Sequence, residues 1–383
     1  MRAPLAGLFV LALSVPAAAA PIVVPFTLID NQLYADVAVD GQGPFRFLLD
    51  TGAVDLVTPA LAARLGLTPA AGVTMHGAGN ASVQGGIVTV PSLVFGGAAL
   101  TGENFYTLSL DTVASLTGTP VDGILGFEFF RRYVTRFDFA AHTLTLTDPA
   151  AFRPDDAGTA IAMTFKANTP EIEGSYGGIA GTFDIDTGDN GGLTLTAPFV
   201  AAHHLADRPG PHVDVVSGVS VGGNVYSRIL RGDELVLGGV RVGRPVTELS
   251  SNTGGLFATG TFSGNIGIGV VKRFVMTLDY AHGALYFAPQ PAPVDDLDAY
   301  DRMGMAIVPD PAGFKVYALT PGGPAEGAGI RQGDVITAVD GAPASGISIA
   351  AIHKRQRGDP PGTVVVFTLA GGKDIEVILR DQI

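Results

Sequence analysis

A chain of 383 residues with 52 glycines, 47% hydrophobic and 15% charged residues has room for two or three domains with buried cores and is too apolar to be disordered. With no cysteine, disulfides, thiolate metal sites and thiol nucleophiles are excluded. A formal net charge of −13 without any basic cluster speaks against nucleic acid or an anionic lipid surface as partner, since both would be repelled.

Residues 1–20 read as a secretory signal peptide: Arg2 is the positive start, Leu5 to Val15 the apolar run, and Ala17 to Ala20 the small residues. Cleavage is expected after Ala18 or Ala19, because Pro21 follows Ala20 directly. The apolar run is shorter than the roughly 20 residues a membrane span needs, so the expectation is a periplasmic or secreted protein without a membrane span.

The stretches Ile22 to Leu28, Leu33 to Val39, Phe45 to Leu49, Ile87 to Val94 and Leu144 to Leu146 are β-branched or apolar runs bounded by Gly, Asn and Asp, and predict strands. Thr58-Pro59 followed by Ala60 to Leu65 predicts a capped helix. The middle of the chain then repeats itself. Phe47-Leu48-Leu49-Asp50-Thr51-Gly52 aligns with Phe183-Asp184-Ile185-Asp186-Thr187-Gly188, Leu93 to Gly97 with Leu235 to Gly239, and Gly123-Ile124-Leu125-Gly126 with Gly264-Asn265-Ile266-Gly267. The tails agree too, Arg132-Tyr133-Val134 to Asp138 with Arg273-Phe274-Val275 to Asp279. Thr196 to Leu205 takes the place of the first helix. Residues 21–150 and 151–290 therefore read as two copies of one mostly-β unit.

An apolar strand ending in Asp-Thr-Gly, twice, within a duplication resembles the pepsin-type and retroviral aspartic proteases. The resemblance implies an all-β-dominated, bilobal fold of two homologous lobes. It also implies an endopeptidase acting on polypeptide segments, with Asp50 and Asp186 as the catalytic dyad and Thr51, Gly52, Thr187 and Gly188 as catalytic-loop support. The chemistry suits those residue types: glycine lets two loops approach, the threonine hydroxyl reaches across, and two close carboxyls cannot both ionise and share a proton. One carboxylate then activates a water while its protonated partner polarises the scissile carbonyl, as in the dyad of pepsin. No metal and no cofactor are implied. Departures from the family pattern stand out in both copies. Ala53 follows the first Gly where pepsin-like enzymes have Ser or Thr, and Asp189 follows the second, while Asn265 occupies an apolar position of the family. Ala53 and Asp189 are expected to raise the working pH above that of pepsin.

Gly-rich turns at Met75 to Gly86, with Met75, His76 and Gly77 at its start, and at Ser217 to Asn224 are placed as two flaps, an arrangement resembling the retroviral dimer fused into one chain. Because the duplication accounts for residues from about Ile22 onward, no propeptide is expected. Gly218-Val219-Ser220-Val221-Gly222 satisfies the nucleophile-elbow spacing but lies in hairpin-like sequence, and His203-His204 lack metal-ligand spacing.

After Pro289-Gln290-Pro291-Ala292-Pro293 a linker is placed at 291–301 and a different module at 302–383. Gly313-Phe314-Lys315-Val316, Pro321 to Ala325, Ala328-Gly329-Ile330 and Gly333-Asp334-Val335-Ile336 resemble a bacterial PDZ domain, a small α+β fold. The resemblance implies binding of a peptide or protein C-terminus by strand addition, with the carboxylate loop at Asp310 to Gly313 and the receiving strand starting at Phe314 and Val316. A non-catalytic peptide-binding adaptor on an inactive protease body is the alternative reading.

Overall fold

The structure, a computed structural model, describes residues 20–166, 168–294 and 299–383. The signal peptide expected at residues 1–20, Ala20 excepted, and the acidic residues Asp295, Asp296 and Asp298 of the linker lie outside the described residues. Among the described residues no helix is long and apolar enough to cross a membrane.

Strand alternation builds the core. In Gln42–Leu49, Phe45, Phe47 and Leu49 are buried while Arg46 and Leu48 point the other way, as a period of two requires. In Ile179–Ile185, Phe183 and Ile185 repeat the arrangement. Helix Pro59–Arg64 forms as its sequence predicts, with Thr58 accepting the Leu61 amide at 3.2 Å and Pro at the first turn. Its counterpart Ala197–Ala202 lacks the side-chain cap, because Thr196 Oγ1 donates instead to the Phe262 carbonyl at 3.2 Å.

The strand expected from Ile22 to Leu28 is divided. Phe26 is buried and donates its amide to the His142 carbonyl at 3.0 Å, so Ile22–Pro25 pairs with Thr143–Thr147 while Thr27–Ile29 turns away into a second sheet with Gln32–Val39. The two copies are also less separate than the repeat suggests. Ile22–Pro25, Thr143–Thr147 and Val134–Asp138 from the first copy continue into Phe274–Asp279, Ala284–Pro289 and Thr159–Lys166 from the second, in one sheet. At its centre Arg136 lies opposite Thr277, and 277 − 136 = 141 is the offset that also relates Gly123 to Gly264. A residue facing its own repeat equivalent marks a two-fold axis, and one apolar core runs across it, with Phe130 and Phe137 in the same cluster as Ile266 and Met276. A separate six-stranded sheet, in the order Met305–Asp310, Gly313–Leu319, Val335–Val339, Val364–Leu369, Asp374–Ile378, with the short Ala342–Pro343 paired to Val335–Val339, has its own core around Val316, Ile336, Ile352 and Phe367.

Candidate active site

Each lobe places its Asp-Thr-Gly at the end of a strand held in parallel register by a short partner, Phe47 opposite Gly123 and Phe183 opposite Gly264. The first loop is fixed by the Asp50 amide on the Leu125 carbonyl (2.9 Å) and the second by the Asp186 amide on the Ile266 carbonyl (3.0 Å). Between them Thr51 and Thr187 are fully buried and bonded reciprocally. Each threonine hydroxyl accepts the other's backbone amide at 3.0 Å, and each donates at 2.8 Å to the strand opposite, Thr51 to the Ile185 carbonyl and Thr187 to Leu49. The two loops therefore meet at their tips, with both threonine hydroxyls and both threonine amides of the crossing satisfied.

Glycine follows because nothing else fits. A Cβ on Gly52 would lie 2.6 Å from Asp186 Cγ, and one on Gly188 would lie 2.3 Å from Asp50 Cγ. The Gly52 amide donates to Asp50 Oδ1 (2.9 Å) and the Gly188 amide to Asp186 Oδ1 (2.8 Å), which orients both carboxyls across the axis. Burial, and then the Asp186 carboxyl beside it, push Asp50 well above the usual carboxylate range. All six residues named from the sequence, Asp50, Thr51, Gly52, Asp186, Thr187 and Gly188, are brought together at the loop tips.

The second loop differs from the first in a way that the sequence only hints at. Asn265 Nδ2 donates both to Asp186 Oδ2 (3.1 Å) and to Asp189 Oδ2 (2.8 Å), and the Asp189 amide reaches Asp186 Oδ1 (3.2 Å). The second-copy departures, Asp189 and Asn265, are thus one device: the side-chain amide at 265 bridges the acid at 189 to the acid at 186. Burial, then Asp186 and Glu248, push Asp189 up to about 7. Tyr280 lies near the dyad with its hydroxyl buried and without a hydrogen-bond partner. Its pKa is raised by burial and then by Asp50 and Asp186. Only its position in the repeat, equivalent to Phe139, marks it in sequence.

The hairpin tips assigned as flaps touch each other. The Gly79 amide donates to the Val221 carbonyl (3.0 Å) and the Ala81 amide to Gly222 (2.9 Å), while Asn252 Nδ2 and the Leu256 amide hold the Ala78 (2.9 Å) and Gly77 (3.1 Å) carbonyls. Gly222 has a φ of 92° and a Cβ there would meet the Ala81 carbonyl at 2.1 Å, so the tip requires glycine. Met75 packs against the cluster of Leu56, Leu108, Leu110 and Ile124, as do Leu48, Ala53 and Val221; His76 is exposed. Ser220 pairs with Gly223 in the same hairpin, away from any strand-to-helix turn. Among the described residues no group of three His, Asp or Glu is placed to hold a metal ion.

The expected peptide-receiving strand of the C-terminal module is corrected. Gly313–Leu319 is interior, flanked by Met305–Asp310 on one side and Val335–Val339 on the other, and Phe314 and Val316 are buried in the core. Gly313 is fixed by packing, a Cβ there meeting the Ile336 carbonyl at 2.4 Å. One edge of the sheet is Met305–Asp310, next to helix Ile349–Gly358. At its start the amides of Met303, Gly304 and Met305 converge on the carboxyl of Asp301, at 2.7, 2.9 and 3.1 Å. That nest is the feature expected of a carboxylate loop, and this chain's own side chain occupies it. Helix Asp111–Thr117 of the first lobe lies against the edge strand, and a cavity of about 940 Å³ lined by Gly118, Pro309, Ser348 and Ile349 separates module from body. Further contacts cross the junction: His353 Nδ1 meets Asp30 Oδ2 at 2.6 Å, and the Tyr317 hydroxyl donates to Asn224 Oδ1, at the second hairpin tip, at 3.0 Å.

Residues 35–129 match the family model described as aspartyl protease, and residues 315–369 match the one described as PDZ domain. A search of the curated proteins finds no match. Among solved structures, the crystal structure of Basic 7S globulin from soybean aligns over 70% of this chain and 94% of its own, at 12% identity and a TM-score of 0.42.

Proposed function

We propose that this chain, an aspartyl protease-like body followed by a PDZ domain, is an exported endopeptidase that hydrolyses peptide bonds with a water activated between Asp50 and Asp186. The observation that carries the reading is the reciprocal Thr51–Thr187 crossing, which brings two half-buried carboxyls together where only one can ionise. The ionised member takes the water proton as the oxygen attacks the carbonyl carbon. The protonated member polarises the carbonyl oxygen and later supplies a proton to the leaving amine. The hairpin tips, hydrogen-bonded to each other, exclude bulk water once substrate lies beneath them. With Asp50 raised and Asp189 at about 7, the working range lies at mildly acidic to neutral pH, and a rate optimum below about pH 3 would contradict this.

The PDZ domain is proposed to take an extended peptide along Met305–Asp310. That requires helix Asp111–Thr117 to move off the edge, so ligand binding there and docking of the module onto the body compete. The test of the catalytic reading is cleavage of a denatured protein by the mature chain and by Asp50→Asn. Loss of turnover in the variant is expected; equal turnover, or none from either, favours the adaptor.

A further inference from the structure

The two-fold axis relates two cleft walls that should be alike, and they are not. In the first lobe the row running across the sheet beside the dyad is Tyr34, Leu48, Ile124, Leu56, each opposite the next in register. Its repeat equivalent in the second lobe is Glu171, Asp184, Asn265, Thr194. Leu48 and Asp184 each precede the catalytic Asp by two residues. Strand alternation therefore puts both on the dyad's face of the sheet, with Phe183 and Ile185 facing the core behind. The first wall is apolar: Leu48, Leu56 and Ile124 cluster with Met75 and Val83 of one flap and Val221 of the other.

The second wall carries two acids side by side. Asp184 is 8% exposed and its Oδ1 makes no hydrogen bond, while Glu171, directly opposite on the neighbouring strand, is equally buried. The nearby cation, Lys166, is exposed and its ammonium donates to the Thr261 carbonyl at 2.9 Å. A buried carboxyl oxygen without a hydrogen bond is costly to leave so. Burial, then Glu171 and Asp186, push Asp184 up to about 8 against the lowering pull of Lys166, so without substrate this acid is largely protonated at neutral pH and a bound cation draws the proton off. Because the dyad sits on the axis, equivalent walls flank opposite sides of the bond being cut.

We propose that the second-lobe wall is a binding pocket for a cationic substrate side chain, lysine or arginine, held by Asp184 and Glu171, and that the first-lobe wall takes an apolar side chain on the other side of the scissile bond. The proposal rests on the peptidase reading and adds the substrate class to it. The probes are two peptides identical except for lysine or its neutral isostere norleucine flanking a fixed apolar residue at the cleaved bond.

The intact chain is expected to favour the lysine peptide by about tenfold or more in kcat/KM, the scale of one charge-assisted hydrogen bond. Asp184→Asn, which keeps size and shape, should bring the ratio close to one, and Asp184→Leu, which copies Leu48, should invert it. A ratio of one or below in the unaltered chain, or a ratio unmoved in Asp184→Asn, overturns the pocket while leaving the peptidase standing. If neither peptide is cut, the peptidase reading fails by itself. Binding of the same two peptides to the intact chain then decides the pocket, equal affinities refuting it and tighter lysine binding supporting it.

Discussion

Replacing Asn265 by Ile, the residue that the repeat puts at the equivalent position 124, removes one amide group and two hydrogen bonds: 3.1 Å to Asp186 Oδ2 and 2.8 Å to Asp189 Oδ2. A hydrogen bond to an ionised buried group contributes about 1.5–3 kcal/mol, so the cost depends on which acceptors are charged. Asp189, raised to about 7, is protonated at pH 5 and ionised at pH 8. Its folded pKa lies above the unfolded value, so its own contribution to stability is present at low pH and lost as pH rises through about 7. Asn265 offsets part of that loss by donating to the charged form. The variant should therefore be destabilised by about 2 kcal/mol at pH 5, where the bond to Asp186 is the main loss, and by about 4 kcal/mol at pH 8, where both bonds are lost. Urea unfolding followed by circular dichroism at the two pH values, extrapolated linearly, resolves a difference of that size. A destabilisation equal at both pH values, or larger at pH 5, would refute the bridge as the link between the two acids.

Other perturbations separate the remaining parts of the design. Thr51→Val strands the Thr187 amide and the Ile185 carbonyl that its hydroxyl satisfies and should cost about 2–5 kcal/mol, whereas Thr51→Ser should cost under half of that in the same unfolding assay. Gly188→Ala brings a methyl group within 2.3 Å of Asp50 Cγ, so the dyad must separate. Turnover should fall to the level of Asp50→Asn even in preparations whose circular dichroism is unchanged. Asp30 is buried, which alone would raise its pKa, but His353 and then Arg357 outweigh this and hold it well below the usual range. Stability from a depressed carboxylate is present above the unfolded pKa and lost as pH falls through the folded one. The module should therefore stay docked at neutral pH and loosen only below about pH 4, while Asp30→Ala should loosen it at every pH. Small-angle scattering gives the radius of gyration that checks both.

The dyad is legible in the sequence because its chemistry is compressed into three contiguous letters, repeated: Asp50-Thr51-Gly52 and Asp186-Thr187-Gly188 need only a strand before them and a glycine to let them meet. Helix Pro59–Arg64 is legible for the same reason, its cap and its first-turn proline being local. What the letters do not carry is partner choice. Nothing in Ile22 to Leu28 says that Phe26 will divide it between two sheets, since the reason is the His142 carbonyl more than a hundred residues away. The PDZ edge is misplaced from sequence on the same ground. Gly313-Phe314-Lys315-Val316 reads as a fitting strand, but whether a strand is interior or at an edge is a property of strand order, and Met305–Asp310 carries no local sign of being last.

The repeat also shows that mismatches carry as much as matches. Aligning the copies on their glycines and threonines establishes the common scaffold, because those positions are fixed by close approach and by the crossing bonds. Positions that face the cleft are free of that constraint, and there the copies part: Leu48 against Asp184, Ala53 against Asp189, Ile124 against Asn265, Leu56 against Thr194. A lobe that had merely decayed would scatter polar substitutions over both faces of its strands. Here the core face keeps Phe183, Ile185, Leu193 and Ile266 fully buried, while the changes fall on the dyad's face and two of them, Asp189 and Asn265, are bonded to each other and to Asp186. The changes on the dyad's face of these strands thus form one hydrogen-bonded group, Asp189 and Asn265 with Asp186, over a core face that stays apolar.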